Sequence, residues 1–226
     1  MNRLLTLLLI LSAAIPLQAQ RIHAYTFAGG AASQIEGDEL KGFNHWGFAG
    51  GVGAIADLDD RDMWSLAVET GYSCRGIFNN KHNNENYYNI SLNLHYVDIP
   101  LTLFFHDPYG GLRIGVGLVY SRLVRQPHGN AYYNPLFFIP DTTDMTFLKN
   151  DFAPAVEFRF NIWKGLQFST RYQYSIIPIK RDWKYQYADK TFYNDFYNSS
   201  LTFRLLWQFG EDNQSKYKYK KASRRR

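Results

Sequence analysis

The sequence predicts an all-β fold, an eight-stranded antiparallel barrel that crosses a membrane, and three observations lead there. Apolar and polar residues alternate with a period of two in segment after segment, which places them on opposite faces of a strand. The apolar positions are heavily aromatic, with 17 Tyr, 17 Phe and 5 Trp among 226 residues. The connections alternate between short and long, the asymmetry of barrels whose turns and loops face different compartments. Beyond the N-terminal segment no run of about 18 apolar residues occurs, so no transmembrane helix is encoded.

The chain opens with Arg3, then an apolar run from Leu4 to Leu11 broken by Thr6, then Ala13, Ala14, Pro16 and Ala19. A positive start, an apolar stretch and small residues read as a secretory signal peptide cut near Ala19 or Gln20. The expected division is 1–19 signal peptide, 20–210 barrel and 211–226 basic tail. The lone Cys74 cannot form an internal disulfide, which excludes a cysteine-stapled scaffold. Export followed by membrane-spanning strands places the protein in the cell outer membrane, with long loops extracellular and both termini periplasmic.

Eight strands are expected at 22–33, 45–57, 63–77, 88–105, 112–124, 147–162, 166–180 and 196–209. Residues 58–62, 106–110 and 163–165, rich in Asp, Pro and Gly, read as tight turns. The segments 34–44, 79–87, 125–146 and 181–195 read as long loops. In the seventh strand Leu166, Phe168, Thr170, Tyr172, Tyr174 and Ile176 oppose Gln167, Ser169, Arg171, Gln173 and Ser175. The last strand sets Leu201, Phe203, Leu205, Trp207 and Phe209 against Thr202, Arg204, Leu206 and Gln208. Strands 112–120 and 156–162 repeat the pattern. A soluble barrel fills its interior with apolar groups, but the aromatics of eight strands do not fit inside so narrow a bore. The aromatic face therefore meets lipid and the charged face the lumen.

The fourth strand breaks the alternation. Tyr88, Ile90, Leu92, Leu94 and Tyr96 are apolar at even positions, whereas Ile99, Leu101, Leu103 and Phe105 continue at odd ones. A bulge near Val97-Asp98, just before Pro100, is the expected remedy, and it turns Asp98 inward beside Asn93 and His95. Trp46, Trp64, Trp163 and Trp207, with Tyr72, Tyr88 and Tyr120, fall near strand ends as aromatic girdles. Gly47, Gly51 and Gly53 mark close packing and curvature on the inner side of the second strand.

Ala32-Ser33-Gln34-Ile35-Glu36-Gly37-Asp38-Glu39-Leu40-Lys41-Gly42-Phe43-Asn44, with Gly47, Gly50 and Gly51, resembles the opening of PorT-like outer-membrane β-barrel proteins of the Bacteroidetes group. Tyr96-Val97-Asp98-Ile99-Pro100-Leu101 is similar to their mid-barrel Tyr-Leu-Glu-Ile-Pro-Leu motif, with Asp98 standing where the motif has Glu. The resemblance implies an eight-stranded barrel of the porin or PorT family and, through the founding member, a link to type IX secretion.

The candidate site is a lumen charge network of Glu69, His95, Asp98, Arg113, Glu157, Arg159, Arg171 and Arg204. In a narrow low-dielectric bore such charges must pair, and arginine forks suit carboxylates, so a plug is expected. No catalytic, cofactor or metal site is expected. The six histidines lack metal-ligand spacing, and Ser91 and His95 lie about 13 Å apart along one strand, too far for proton transfer. A small-solute channel and a barrel lipid hydrolase are the alternatives. In the loop 125–146, Tyr132, Tyr133, Phe137 and Phe138 are candidate partner-binding residues. Lys216, Lys218, Lys220, Lys221, Arg224, Arg225 and Arg226 carry seven positive charges without an acid, so the rest of the chain is net negative despite the overall +5. Outer-membrane lipids and proteins are the expected partners of a monomeric barrel; nucleic acid is not, because the chain is exported.

Overall fold

The computed structural model describes residues 22–37, 42–59, 63–79, 88–107, 111–125, 130–133, 146–187 and 190–210. Among them are ten strands and no helix: β1 Ile22–Glu36, β2 His45–Asp57, β3 Trp64–Asn79, β4 Tyr88–His106, β5 Leu112–Arg125, β6 Asn130–Tyr133, β7 Asn150–Trp163, β8 Leu166–Tyr174, β9 Lys180–Tyr187 and β10 Lys190–Gln208. Eight of them pair in the order β1-β2-β3-β4-β5-β7-β8-β10, and β10 returns to β1 from Tyr25↔Gln208 to Glu36↔Tyr197. The wall is a closed antiparallel barrel with no free edge, the condition under which strands can cross lipid.

The two remaining strands lengthen the wall at its loop end. Strand β9 pairs with the start of β10, so the expected loop 181–195 contains a hairpin, and the seventh wall strand stops at Tyr174 rather than running to 180. Strand β6 pairs with the start of β4 inside the expected loop 125–146. At the other end the connections are tight. Asp59 Oδ1 accepts the amides of Met63 and Trp64, both at 2.8 Å, and Lys164 with φ 46° occupies the left-handed position that a two-residue hairpin demands.

Burial follows the alternation. Leu118, Val116 and Ile162 on the outer wall are 61%, 57% and 52% exposed, whereas Glu157, Arg159 and Arg204 are 0%, 1% and 2% exposed. The outer wall of the paired strands is therefore largely aliphatic and aromatic, whereas Glu69, Arg75, Glu157, Arg159, Arg171 and Arg204 look inward. Trp64, Trp163 and Trp207 are exposed at the turn end, and Trp46 and Tyr72 at the loop end. The side chain of Tyr88 lies outside the described residues.

The expected slip in the fourth strand is corrected. Pairing of β3 with β4 keeps one register from Trp64↔Phe105 to Asn79↔Ile90, so β4 has no bulge at Val97-Asp98. Even positions point inward along its described length: Leu92, Leu94, Tyr96, Pro100, Thr102 and Phe104 are all buried. The irregularity belongs to β5, whose partner residues jump from Leu123 to Arg125 as β4 steps from Tyr96 to His95. Pro100 interrupts only the ladder to β3, where no pairs form at Ile99 and Pro100, while pairing with β5 runs on.

The apparent slip has a physical cause. At the loop end the interior is itself apolar: Ile35, Ile77, Leu92, Leu94, Tyr96, Leu123, Phe147, Ile179 and Phe196 form one buried cluster. There the barrel is packed like a water-soluble core, so the apolar face of β4 changes from inside to outside while the strand itself runs straight.

Candidate functional site

Glycine and aromatic residues build the floor of the interior. Along β2, β3 and β5 the inward positions Gly53, Gly51, Gly71 and Gly115 carry no side chain, and rings from neighbouring strands lie in the space. A Cβ at Gly53 comes within 2.5 Å of the Tyr25 ring, at Gly71 within 2.8 Å of Phe27, and at Gly115 within 2.5 Å of Phe104. The rings in turn carry guanidiniums. Arg159 lies 4.8 Å from the Tyr25 centroid and 4.5 Å from that of Phe104, and Arg204 lies 4.8 Å from that of Phe27. Each stack runs from glycine through ring and guanidinium to carboxylate, and desolvation strengthens each cation–π contact.

The carboxylates are Glu69 on β3 and Glu157 on β7. Glu157 Oε1 accepts from Arg159 Nε at 2.5 Å, Arg204 Nη2 at 2.5 Å and Ser169 Oγ at 2.7 Å. Its Oε2 accepts from Arg171 Nε at 2.8 Å and Nη2 at 2.5 Å. Glu69 Oε1 accepts from the Tyr25 hydroxyl at 2.7 Å and Arg159 Nη2 at 2.5 Å; Oε2 accepts from Arg171 Nη2 at 2.9 Å and Arg204 Nη1 at 2.8 Å. Every one of the three guanidiniums bridges both glutamates. Since β3 faces β7, β8 and β10 across the bore, these bonds cross the axis and close it.

A second ionic layer lies nearer the loops. Arg75 Nη2 donates to Asp98 Oδ2 at 2.6 Å and its Nη1 lies 3.7 Å from Asp151 Oδ2. Ser73 also donates to Asp98, and Asn198 Nδ2 donates to Asp151 Oδ2 at 3.0 Å and to the Tyr96 hydroxyl at 3.1 Å. Between the layers is a cavity of about 20 Å³, bordered by Glu69, Arg171 and Arg204 on one side and Ser73, Arg75 and Asp98 on the other. It has room for about one water molecule.

Of the expected lumen residues, Glu69, Glu157, Arg159, Arg171 and Arg204 come together in the first layer, and Asp98 joins the second. Arg113 points inward from β5, opposite Arg159 in the register. His95 does not belong to the lumen. It lies on the odd, outward face of β4, stacked on Tyr72 with ring centroids 5.9 Å apart and Nδ1 2.5 Å from the Tyr72 hydroxyl. Asp98 accordingly has Arg75 as its partner, and neither Asn93 nor His95 lies beside it on the inner face. Arg75 and Asp151 were missed, although their odd numbers on β3 and β7 match Glu69 and Glu157 in parity, the one signal that finds them. Tyr132 and Tyr133 lie on β6, but their side chains, like Phe137, Phe138 and the tail from Lys216 to Arg226, fall outside the described residues.

One further buried set lies where the β2–β3 ladder ends at Ala49↔Ser73. Gly76 N donates to Ser33 Oγ at 2.9 Å, Ser33 Oγ lies 3.0 Å from His45 Nδ1, and His45 Nε2 lies 2.7 Å from Asn93 Oδ1. The order hydroxyl, imidazole, amide is that of a hydrolytic relay, but its hydroxyl end is sealed, with Ser33 1% exposed. Nucleophilic catalysis needs the hydroxyl at the open end. In this arrangement the three side chains tie β1, β2, β3 and β4 together.

A closed wall of eight strands, lipid-compatible outside and ionic within, is the architecture of a barrel that spans an outer membrane, and residues 5–209 match the family described as outer membrane protein beta-barrel domain. The chain belongs to the outer membrane protein beta-barrel domain family. As a member it resides in the outer membrane. A search of curated proteins gives no match. Among solved structures, this outer-membrane barrel is similar to Ail, the attachment invasion locus protein of Yersinia pestis, at 14% identity over 83% of this chain and 99% of that one, with a TM-score of 0.44. It is also similar to Neisserial surface protein A, at 13% identity over 82% and 97% with a TM-score of 0.44. The translocator domain of the autotransporter NalP from Neisseria meningitidis matches at 10% identity over 92% and 95%, with a TM-score of 0.30.

Proposed function

We propose that the protein is a non-conducting outer-membrane barrel whose role is structural or interactive, a rigid membrane-embedded base that presents its loop end to partners. The observation that carries this reading is the set of hydrogen bonds across the bore from Glu69 and Glu157 to Arg159, Arg171 and Arg204. An ion passing along the axis has to break a buried network in which each of three guanidiniums bridges both glutamates, and beyond it lies the apolar cluster around Leu94 and Phe196. In planar bilayers the folded protein is expected to give no current above that of protein-free membrane. Stable unitary currents sink the reading and restore the small-solute channel.

The alternation of tight turns with long connections supports loops that are extracellular and chain ends that are periplasmic. The narrower reading, a PorT-like component or assembly factor of type IX secretion, draws on the Tyr96–Leu101 motif. Its side chains at Tyr96, Asp98 and Pro100 shape the inner layers of the barrel. Crosslinking in intact cells tests partners: full-length protein is compared with a chain truncated after Gly210 and one lacking 127–140. If both shortened chains recover the same partners as the full one, neither the tail nor the loop is the contact.

A further inference from the structure

The two ionic layers carry opposite excesses of charge. In the first, the guanidiniums of Arg159, Arg171 and Arg204 share two carboxylates, Glu69 and Glu157; in the second, Arg75 alone faces Asp98 and Asp151. The cavity of about 20 Å³ separates them, and the sequence makes room for it. Gly71 stands between Glu69 and Ser73 on the inner face of β3 and adds no side chain there, and Pro100 on β4 borders the same space with an apolar ring.

Bonding within the layers leaves polar atoms over on both sides of this space. Arg204 uses Nη1 and Nη2 on the glutamates and Ser169, whereas its Nε, in a side chain 1% exposed, has no hydrogen-bond partner. Arg171 reaches the glutamates through Nε and Nη2, so its Nη1 takes no part in that layer. Across the cavity, Asp98 Oδ2 accepts from Arg75 and Ser73, but Asp98 Oδ1 has no partner. Arg171, Arg204 and Asp98 all border the cavity. Donors are thus left over on the cationic side and an acceptor on the anionic side, an arrangement that is costly in a buried interior unless something pairs with them.

We infer that the cavity is a binding site for a single water molecule, which accepts from the guanidiniums of Arg204 and Arg171 and donates to Asp98 Oδ1. The Thr202 hydroxyl on the cavity wall completes the set of polar partners that a held water needs. A neutral dipole suits the place, with its oxygen toward the layer of excess positive charge and its hydrogens toward the layer of excess negative charge. A monovalent anion meets the Asp98 carboxylate, and a cation meets Arg75, Arg171 and Arg204; either one upsets a charge balance that the two layers together already satisfy. The water joins the layers, so that hydrogen bonds run from Glu157 through Arg204 and Asp98 to Arg75 and the plug acts as one unit. The inference deepens the proposed non-conducting plug and rests on it.

Crystals of the full chain grown from sodium chloride and from sodium bromide identify the occupant. Expected in both is oxygen density about 3 Å from Asp98 Oδ1 and from a nitrogen of Arg204 or Arg171, with no anomalous bromine signal. A bromine peak in the cavity, or no density there at a resolution that shows other ordered waters, overturns the proposal. In detergent solution the methyl group of Ala49, which borders the cavity, is expected to give a cross-peak at the water frequency with NOE and ROE of opposite sign, as a held water does. Asp98→Glu advances the carboxylate by one bond, about 1.5 Å, into the cavity and is expected to erase that cross-peak while the guanidiniums stay in place. Thr202→Ile fills the same space from β10 and gives the same loss, so the test does not depend on one variant folding; gel mobility equal to that of the unmodified protein shows which are folded. A cross-peak absent from the unmodified protein, or one that persists in a folded filling variant, overturns the water site. Conductance of the unmodified protein is read separately: current overturns the plug, whereas silence together with a bromide-filled or waterless cavity overturns the water alone.

Discussion

Replacing Glu157 by Gln probes the first ionic layer with almost no change of shape. Glu157 is fully buried and accepts from three guanidiniums and a hydroxyl. Its amide substitute keeps one accepting oxygen and turns an NH₂ toward guanidiniums that can only donate. Three buried guanidiniums then share the single carboxylate of Glu69. Breaking a buried ion pair by removing one partner costs about 3–5 kcal/mol, and because all three guanidiniums are deprived of a counter-charge at once, Glu157→Gln falls near the upper end, about 5 kcal/mol. That is a large part of a typical folding free energy of about 5–15 kcal/mol. Urea unfolding in lipid vesicles, followed by tryptophan fluorescence and by gel mobility, measures it. Adding Arg204→Met to Glu157→Gln removes one of the stranded cations, so the double variant is expected to be more stable than the sum of the single effects by about 1 kcal/mol or more. A loss below about 1 kcal/mol for Glu157→Gln, or strict additivity in the double variant, refutes the account of the interior as one coupled network.

Other positions test the remaining layers. Gly115→Val places atoms where Phe104 and Thr102 already stand, 2.5 and 2.7 Å from a Cβ, and is expected to cost about 1–3 kcal/mol in the same urea assay. Tyr96→Phe removes the hydroxyl that accepts from Asn198, so a loss of about 1 kcal/mol without change in gel mobility is expected. Ser33→Ala is expected to leave hydrolysis of lipid esters by the purified protein at the buffer background, as in the unmodified chain. Activity that Ser33 alone supplies reinstates the hydrolase reading. His45→Ala removes the imidazole between Ser33 and Asn93 and is expected to cost about 1–3 kcal/mol, because buried groups on both strands lose a partner.

Much of this molecule was legible in one dimension because the side-chain period of a strand is two. Parity alone put Glu157, Arg159 and Arg171 on one face and Phe158, Phe160 and Tyr172 on the other, and the crowding of aromatics showed which face meets lipid. Pairing partners were not legible: Glu69 meets Arg204 across 135 positions of sequence, and only the closed register brings them within 2.8 Å. Parity also fails where both environments are apolar. Leu92, Leu94 and Tyr96 looked like lipid-facing neighbours of Ile99 and Leu101, yet they fill the interior, because at its loop end the barrel packs greasy groups inside as a soluble core does. His95 was misplaced by the same reasoning, since its face was inferred from neighbours whose own face had been reversed. Local alternation thus sets which residues stay together, while the fold decides what each face touches, since that depends on the surroundings at each height along the barrel axis.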